Sequence, residues 1–152
     1  MEKNLLGTDI VTQIGILVND IEKAAQDYAD LLGVEKPEIF MTGTPDIAKT
    51  LYLGEATTAR TKQAFFHVGP NVDIELLEPD HEPSTWRHDL DMYGEGVHHI
   101  AFEINGMRKV VESFEQRGIK EIQKGEWNGG RYSYLDSKDT LKLTLELLEI
   151  DK

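Results

Sequence analysis

Val72-Asp73-Ile74-Glu75-Leu76-Leu77-Glu78 and Leu143-Thr144-Leu145-Glu146-Leu147-Leu148-Glu149 are nearly the same run written twice. Each closes a unit that opens with a strand and a helix. Gln13-Ile14-Gly15-Ile16-Leu17-Val18-Asn19 leads into a helix ending near Gly33, and His99-Ile100-Ala101-Phe102-Glu103-Ile104-Asn105 leads into one ending near Gly118. The chain therefore reads as one module repeated, each copy with a metal-capable polar side chain at its start and a carboxylate at its end.

Between these landmarks the first half reads β-α-β-β-β. Residues 10–18 are rich in β-branched and aliphatic types and stop at Asn19-Asp20, where Asn19 is suited to cap a helix and Glu22 to reach back to the cap amide. Ile21, Ala24, Ala25, Tyr28, Leu31 and Leu32 then recur at three- and four-residue steps, which predicts one apolar helix face, with Gly33 as a left-handed C-cap. Strands are expected over residues 47–53, 62–68 and 72–78, separated by Gly54 and by Gly69-Pro70-Asn71. Residues 79–96 read as a crossing segment in which Pro83 opens a short helix bearing Trp86 and Leu90, too charged to be a core element. The second half predicts a helix over 107–117 that buries Val110, Val111 and Phe114, and strands over 119–123, 132–135 and 141–148. Gly125-Glu126-Trp127-Asn128-Gly129-Gly130 suits either a lid or a bare turn.

Side chains on a strand alternate between its faces. In the opening strand Thr12, Ile14, Ile16 and Val18 share the face under the helix, leaving Gln13, Gly15 and Leu17 opposite. In the corresponding strand His98, Ile100, Phe102 and Ile104 face the helix and His99, Ala101 and Glu103 face away, so His98 reads as structural and His99 as available. The closing strands sort likewise, with Asp73, Glu75 and Leu77 and then Thr144, Glu146 and Leu148 on the open face. Gln13, Glu75, His99 and Glu146 thus point into one concavity. One imidazole, two carboxylates and an amide oxygen suit a divalent ion of intermediate hardness.

With 152 residues the chain forms one domain, not two joined by a linker. Its 28 acidic against 16 basic residues give a formal charge of −12, which repels nucleic-acid backbones and anionic membranes. The absence of cysteine excludes disulfides, thiolate nucleophiles and cysteine-rich zinc sites. The segment Met1-Glu2-Lys3-Asn4-Leu5-Leu6-Gly7-Thr8-Asp9 lacks secretory-signal features and no apolar run approaches twenty residues, so a cytoplasmic protein is expected.

The repeat, together with Gln13-Ile14-Gly15-Ile16-Leu17-Val18, Gly96-Val97-His98-His99-Ile100-Ala101-Phe102 and Ser137-Lys138-Asp139 ahead of Leu145-Glu146-Leu147, resembles the vicinal oxygen chelate superfamily, which includes glyoxalase I, methylmalonyl-CoA epimerase, extradiol dioxygenases and bleomycin-resistance proteins. The resemblance runs from about Ile10 to Glu149. It implies an α+β fold, one domain over residues 1–152 with tandem βαβββ modules over about 10–79 and 97–149, and an eight-stranded open barrel or cup around one divalent ion. The family's four ligand positions fall on Gln13, Glu75, His99 and Glu146, with Zn²⁺, Co²⁺, Ni²⁺ or Mn²⁺ as candidates.

The quoted runs most resemble the epimerase branch, whereas the Gln, Glu, His, Glu set resembles zinc-type glyoxalase I. The resemblance therefore implies an isomerase or lyase that removes a proton beside a carbonyl, through an enolate-like intermediate, with Glu146 as first choice of base and Glu75 as second. A second proton-transfer glutamate of the epimerases aligns with Thr58, and Leu141 and Lys142 replace the glycines usual before the last strand. The substrate would be a small molecule such as a CoA thioester or a thiol adduct, and the protein a homodimer. Arg60, Lys62, Arg87 and Arg131 are candidates to hold an anionic substrate; His67 with Phe65, and Tyr132 with Tyr134, are candidate pocket-wall residues. The alternative from another class is a bleomycin-resistance-like protein that binds a small molecule without turnover.

Overall fold

The computed structural model describes residues 4–152; Met1 to Lys3, part of the reading of the first segment, lie outside the described residues. Its strands are β1 (Val11–Leu17), β2 (Phe40–Met41), β3 (Leu51–Tyr52), β4 (Glu55–Ala56), β5 (Thr61–His67), β6 (Asp73–Pro79), β7 (Gly96–Glu103), β8 (Glu121–Trp127), β9 (Gly130–Leu135) and β10 (Thr144–Ile150). All belong to one curled, half-open sheet of ten strands in the order β2-β5-β6-β1-β7-β10-β9-β8-β3-β4. The α+β class stands; the count of eight strands does not.

The opening strands of the two repeats, β1 and β7, pair antiparallel at the middle of the sheet. Each closing strand lies parallel beside its own opening strand, β6 beside β1 and β10 beside β7. Gly15 faces Glu75 across one pair, and Ala101 faces Glu146 across the other. Each carboxylate therefore stands opposite the residue two places after Gln13 or His99, which puts all four on the same pleat face.

The division at the midpoint of the chain is less clean than the repeat implies. The hairpin β3–β4 belongs to the first half, yet Leu51 and Tyr52 pair with Lys124 and Gln123 of β8 at the far edge. The strand expected over 47–53 is also broken. Thr44-Pro45 starts a one-turn helix α2 (Pro45–Ala48) with proline at its first turn, and Lys49 leaves it at φ 48°. Proline is favoured at that helix position, and a left-handed residue ends strand and helix alike.

Helix α1 (Ile21–Leu32) starts one residue later than expected: Asp20, not Asn19, is the cap and accepts from Lys23 N–H, and Glu78 Oε1, not Glu22, accepts from Ile21 N–H at 3.0 Å. A carboxylate from the neighbouring strand satisfies the first-turn amide in place of a local capping box. Gly33 is the left-handed C-cap, at φ 66°. Ile21, Ala25 and Ala29 pack on Val18, Ala64, Phe66 and Leu76. Helix α4 (Met107–Glu115) seats Val110, Val111 and Phe114 on Leu135, Leu145 and Leu147.

A third cluster fills the opposite face of the sheet: Leu17, Leu77, Tyr134, and Trp86 and Leu90 from α3 (Thr85–Tyr93). The crossing segment is therefore a core element, contrary to its composition. Trp86 is 3% exposed and donates its indole N–H to Tyr134 Oη at 3.0 Å, and Thr85 N–H is received by Gln123 Oε1 at 2.8 Å. Ser84 caps this helix, accepting from Arg87 N–H. His88 and Asp91 face outward and Arg87 pairs with Asp91, whereas Asp89 is buried and paired with Lys138, so Trp86 and Leu90 anchor the helix. Before β10, Leu141, the first residue expected as strand, instead ends the short helix α5 (Lys138–Leu141). The glycine-containing segment between β8 and β9 is a two-residue hairpin turn, Asn128-Gly129.

Candidate metal centre

His99 of β7 is completely buried, and its Nε2 lies 3.0 Å from Glu146 Oε2 and 3.3 Å from Glu75 Oε1. Neither approach has hydrogen-bond alignment: His99 Nε2, Glu146 Oε2 and the nearby-facing Gln13 Oε1 are buried with no hydrogen-bond partner. Leaving such atoms unpaired costs about 1–3 kcal/mol each. The other oxygen of Glu75 is held by Gln63 Nε2 at 3.0 Å. Gln13, Glu75 and Glu146 line one cavity, with His99 behind them.

Gly15 makes the placement of His99 possible. It sits opposite His99 across β1 and β7, and the imidazole covers the position where a side chain would begin. On the other side, His98 Nδ1 lies 2.9 Å from His99 Nδ1, and His98 Nε2 lies 3.2 Å from Thr85 Oγ1. With a proton or a cation on His99 Nε2, the protons run in one direction: His99 Nδ1–H donates to His98 Nδ1, and His98 Nε2–H donates to Thr85. Nε2 of His99 is thereby left facing the carboxylates. Buried Asp89 flanks this chain, 3.6 Å from His98 Nε2 and 2.6 Å from Lys138 Nζ.

Strict alternation assigns His98 to the helix side, and the structure corrects this. The β1–β7 register slips where Gly15 pairs with His99 but Ile16 with Val97, so His98 is the extra residue of a bulge. Bulges re-aim side chains beside sites, and this one turns His98 against both His99 and α3.

Burial works against a charge on His99, but the carboxylates of Glu146 and Glu75 outweigh it and raise the imidazole to about 10. Burial pushes Glu75 upward, opposed chiefly by His99. Burial, then the positive neighbours His99 and Lys138, holds His98 well below the usual imidazole range, consistent with a neutral acceptor. Two acids converging on one buried ring create a place that requires positive charge, either a proton or a cation.

Counting only His, Cys, Asp and Glu, no group of three or more at the spacing of a bound ion occurs among the described residues. The donor types of Gln13, Glu75, His99 and Glu146, which share the cavity floor, nonetheless suit one. Ligands about 2.1 Å from an ion lie about 3.0–3.4 Å from one another, and the two separations at His99 are 3.0 and 3.3 Å. Four buried atoms lack partners: one amide oxygen, one imidazole nitrogen and one carboxylate oxygen, all common metal donors, and the hydroxyl of Thr144.

The cavity above these groups has a volume of about 420 Å³. Its walls include Phe40, Phe65, Trp86, Trp127, Tyr132 and Tyr134, and Thr50 also lines it. Tyr132 and Tyr134 therefore occupy the wall expected of them, and burial raises both hydroxyls. His67 does not: it is exposed and pairs with Asp73. None of the four basic candidates reaches the cavity. Arg60 donates to Thr42 O, Lys62 pairs with Glu78, Arg87 donates to Pro79 O and Asp80 O, and Arg131 pairs with Glu149 and Asp151. Thr58 is exposed and borders a different depression. Gln63, Thr50, Phe40 and Trp127 were not singled out as wall residues by sequence; only the pairing of distant strands brings them here.

A curled mixed sheet with its polar floor between paired repeats is the architecture of a large superfamily, and residues 12–134 match its family model. The chain belongs to the glyoxalase/bleomycin resistance protein/dioxygenase superfamily. It is 27% identical over 141 residues to the uncharacterized protein YqjC of Bacillus subtilis, covering 90% of this chain and 89% of that one. In fold it is similar to methylmalonyl-CoA epimerase from Mycobacterium tuberculosis (TM-score 0.67, 20% identity, 100% of this chain and 93% of that one). It is also similar to the hypothetical protein BH1468 from Bacillus halodurans (0.64, 24%, 93% and 94%). A third similar structure is Streptomyces coelicolor methylmalonyl-CoA epimerase in complex with 2-nitronate-propionyl-CoA (0.63, 21%, 94% and 98%). Among the described residues no helix is long and apolar enough to cross a membrane.

Proposed function

We propose that this protein is a divalent-metal-dependent isomerase or lyase of the epimerase or glyoxalase type, built from two βαβββ modules within one domain. The observation that carries the reading is the set of buried donor atoms without partners, Gln13 Oε1, His99 Nε2 and Glu146 Oε2, converging with Glu75 on the floor of a cavity. Gln13, Glu75, His99 and Glu146 would hold the ion. When bound, it supplies Lewis acidity toward a carbonyl oxygen and so favours the enolate-like charge that follows loss of a neighbouring proton.

The chain's own residues supply the rest. Glu146 is the base, because its side chain borders the cavity; since its Oε2 also counts among the donors to the ion, the carboxylate would have to swing off the ion to take the proton. Glu75 is restrained by Gln63, which suits it to holding position rather than moving a proton. His98 and Thr85 fix the ring of His99, and the aromatic walls exclude water from the reacting carbon.

Metal analysis of the purified protein, followed by deuterium exchange from solvent into carbonyl compounds, tests this reading. Bound Zn²⁺, Co²⁺, Ni²⁺ or Mn²⁺ and exchange that Glu146→Gln abolishes without unfolding the chain are the expected results. Thermal stability that ignores all four ions would leave the alternative, a small-molecule binder without turnover.

A further inference from the structure

The walls of the cavity carry a charge pattern of their own. Among its described lining residues there is no lysine, arginine or histidine; the ionisable lining groups are Glu75, Glu126, Glu146 and two tyrosines. On the reading above, a divalent ion held by Glu75 and Glu146 with neutral Gln13 and His99 is electrically balanced by its own ligands. It leaves no surplus positive charge for an anion. Glu126 lies at the wall with Lys49 Nζ 3.8 Å away, a loose pair that offsets its charge without presenting a cation to the cavity.

The remaining lining is uncharged, mostly apolar and partly open, with Gln13, Thr42, Thr50 and Gln63 as its neutral polar side chains. Phe40, Met41, Trp127 and Ile150 all line the cavity and retain 38–45% of their exposure, and Phe40 stacks on Phe65 with ring centroids 5.8 Å apart. A half-exposed apolar rim is stabilised by covering it with apolar ligand surface. A carboxylate or phosphate inside would give up hydration and meet no cationic side chain, only carboxylates, rings and the neutral amides and hydroxyls of Gln13, Thr42, Thr50 and Gln63.

We infer that the substrate class of this site is an uncharged carbonyl compound with an apolar body, carrying no carboxylate or phosphate on the part that enters the cavity. The inference rests on the metal-centre reading for the balance of charge at the floor and on the wall residues for the rest. Arg60, Arg87 and Arg131 do not line the cavity, and each is engaged by backbone carbonyls or acids, Arg60 by the carbonyl of the lining residue Thr42.

Equilibrium dialysis with three matched probes tests the assignment: phenylacetone, its para-carboxylate and its para-trimethylammonium derivative, each against the full chain with and without Zn²⁺. With Zn²⁺ bound, the neutral ketone should bind at least about tenfold tighter than either charged probe, a difference of about 1.4 kcal/mol, and only without Zn²⁺ should the cationic probe gain on it. In Glu126→Lys the preference for neutral ketone over para-carboxylate should narrow or reverse. Equal or tighter binding of either charged probe with Zn²⁺ bound overturns the assignment, as does failure of the ketone to bind at millimolar concentration or a ratio unmoved by Glu126→Lys. Deuterium exchange into the bound ketone is read separately. Neutral preference without exchange removes proton abstraction as the reaction and upholds the charge rule.

Discussion

The His99 imidazole occupies the volume that any side chain at Gly15 would need. A Cβ added to Gly15 would lie 2.0 Å from His99 Cε1, 2.4 Å from Nδ1 and 2.5 Å from Nε2. Glycine in the interior of a strand weakens it unless a close approach requires it. Here the ring of the facing strand makes that approach, and the backbone conformation of Gly15 is otherwise ordinary.

Gly15→Ala therefore displaces the imidazole or spreads β1 from β7. Overpacking of this size costs about 1–3 kcal/mol, and for a chain of this length that lowers Tm by several degrees. The Co²⁺ absorption spectrum of the variant should also be lost or altered. A variant with native Tm and native metal binding would show that the ring does not depend on this space.

His98→Phe removes the acceptor for His99 Nδ1–H and should weaken metal binding about 10–100-fold, the usual scale for a lost partner of a ligating histidine. Competition against a chelator measures it. His98→Asn, whose amide oxygen can accept in a similar place, should recover part of the affinity, which a purely steric role for His98 would not produce.

Glu149 on β10 caps α4 from outside the helix: its Oε2 accepts from the N–H of Gly106 and of Met107, while Oε1 accepts from Arg131 at 2.8 Å. Burial pushes this carboxyl upward, but those hydrogen bonds prevail and hold it below its ordinary value of 4.5. A carboxyl depressed in the folded state stabilises the protein above its unfolded pKa, and the contribution disappears as pH falls through the folded value. Glu149→Gln should accordingly cost about 1 kcal/mol at neutral pH, the scale of a lost helix cap. Urea midpoints of the two proteins should converge below pH 4.5; a gap that persists unchanged in acid would contradict this.

Lys142 ends α5 in the left-handed region, at φ 68°. A non-glycine residue there costs about 1 kcal/mol, so Lys142→Gly should raise the denaturation midpoint modestly, the greater freedom of glycine in the unfolded chain taking back part of the gain. A lower midpoint would mean that the bond from Lys142 Nζ to Asp139 O outweighs the backbone cost.

Alternation and repetition were enough to bring Gln13, Glu75, His99 and Glu146 to one face, because each lies on a strand longer than six residues with apolar neighbours of fixed phase. The same logic failed at His98, where a one-residue bulge breaks the phase, and bulges leave no reliable mark in local composition. It failed for α3 because Trp86 and Leu90 are only two residues, and their burial depends on Leu17, Leu77 and Tyr134 from distant strands. Thr44-Pro45 was a legible helix start that the β-branched run after it obscured. Arg60 and Arg87 are held away from the cavity by backbone carbonyls, which sequence does not advertise, and Lys62 and Arg131 by carboxylates of other strands or the chain beyond them.

The last strand in chain order is not the last in space. β10 lies between β7 and β9 and carries Glu146 into the floor. Ribosomal synthesis thus delivers the keystone after the nine other strands of the described residues. Until Ile150 is made, the nascent sheet has an open slot beside β7 with unpaired amides on both sides, and a frameshift that removes this strand would breach the interior rather than shorten an edge.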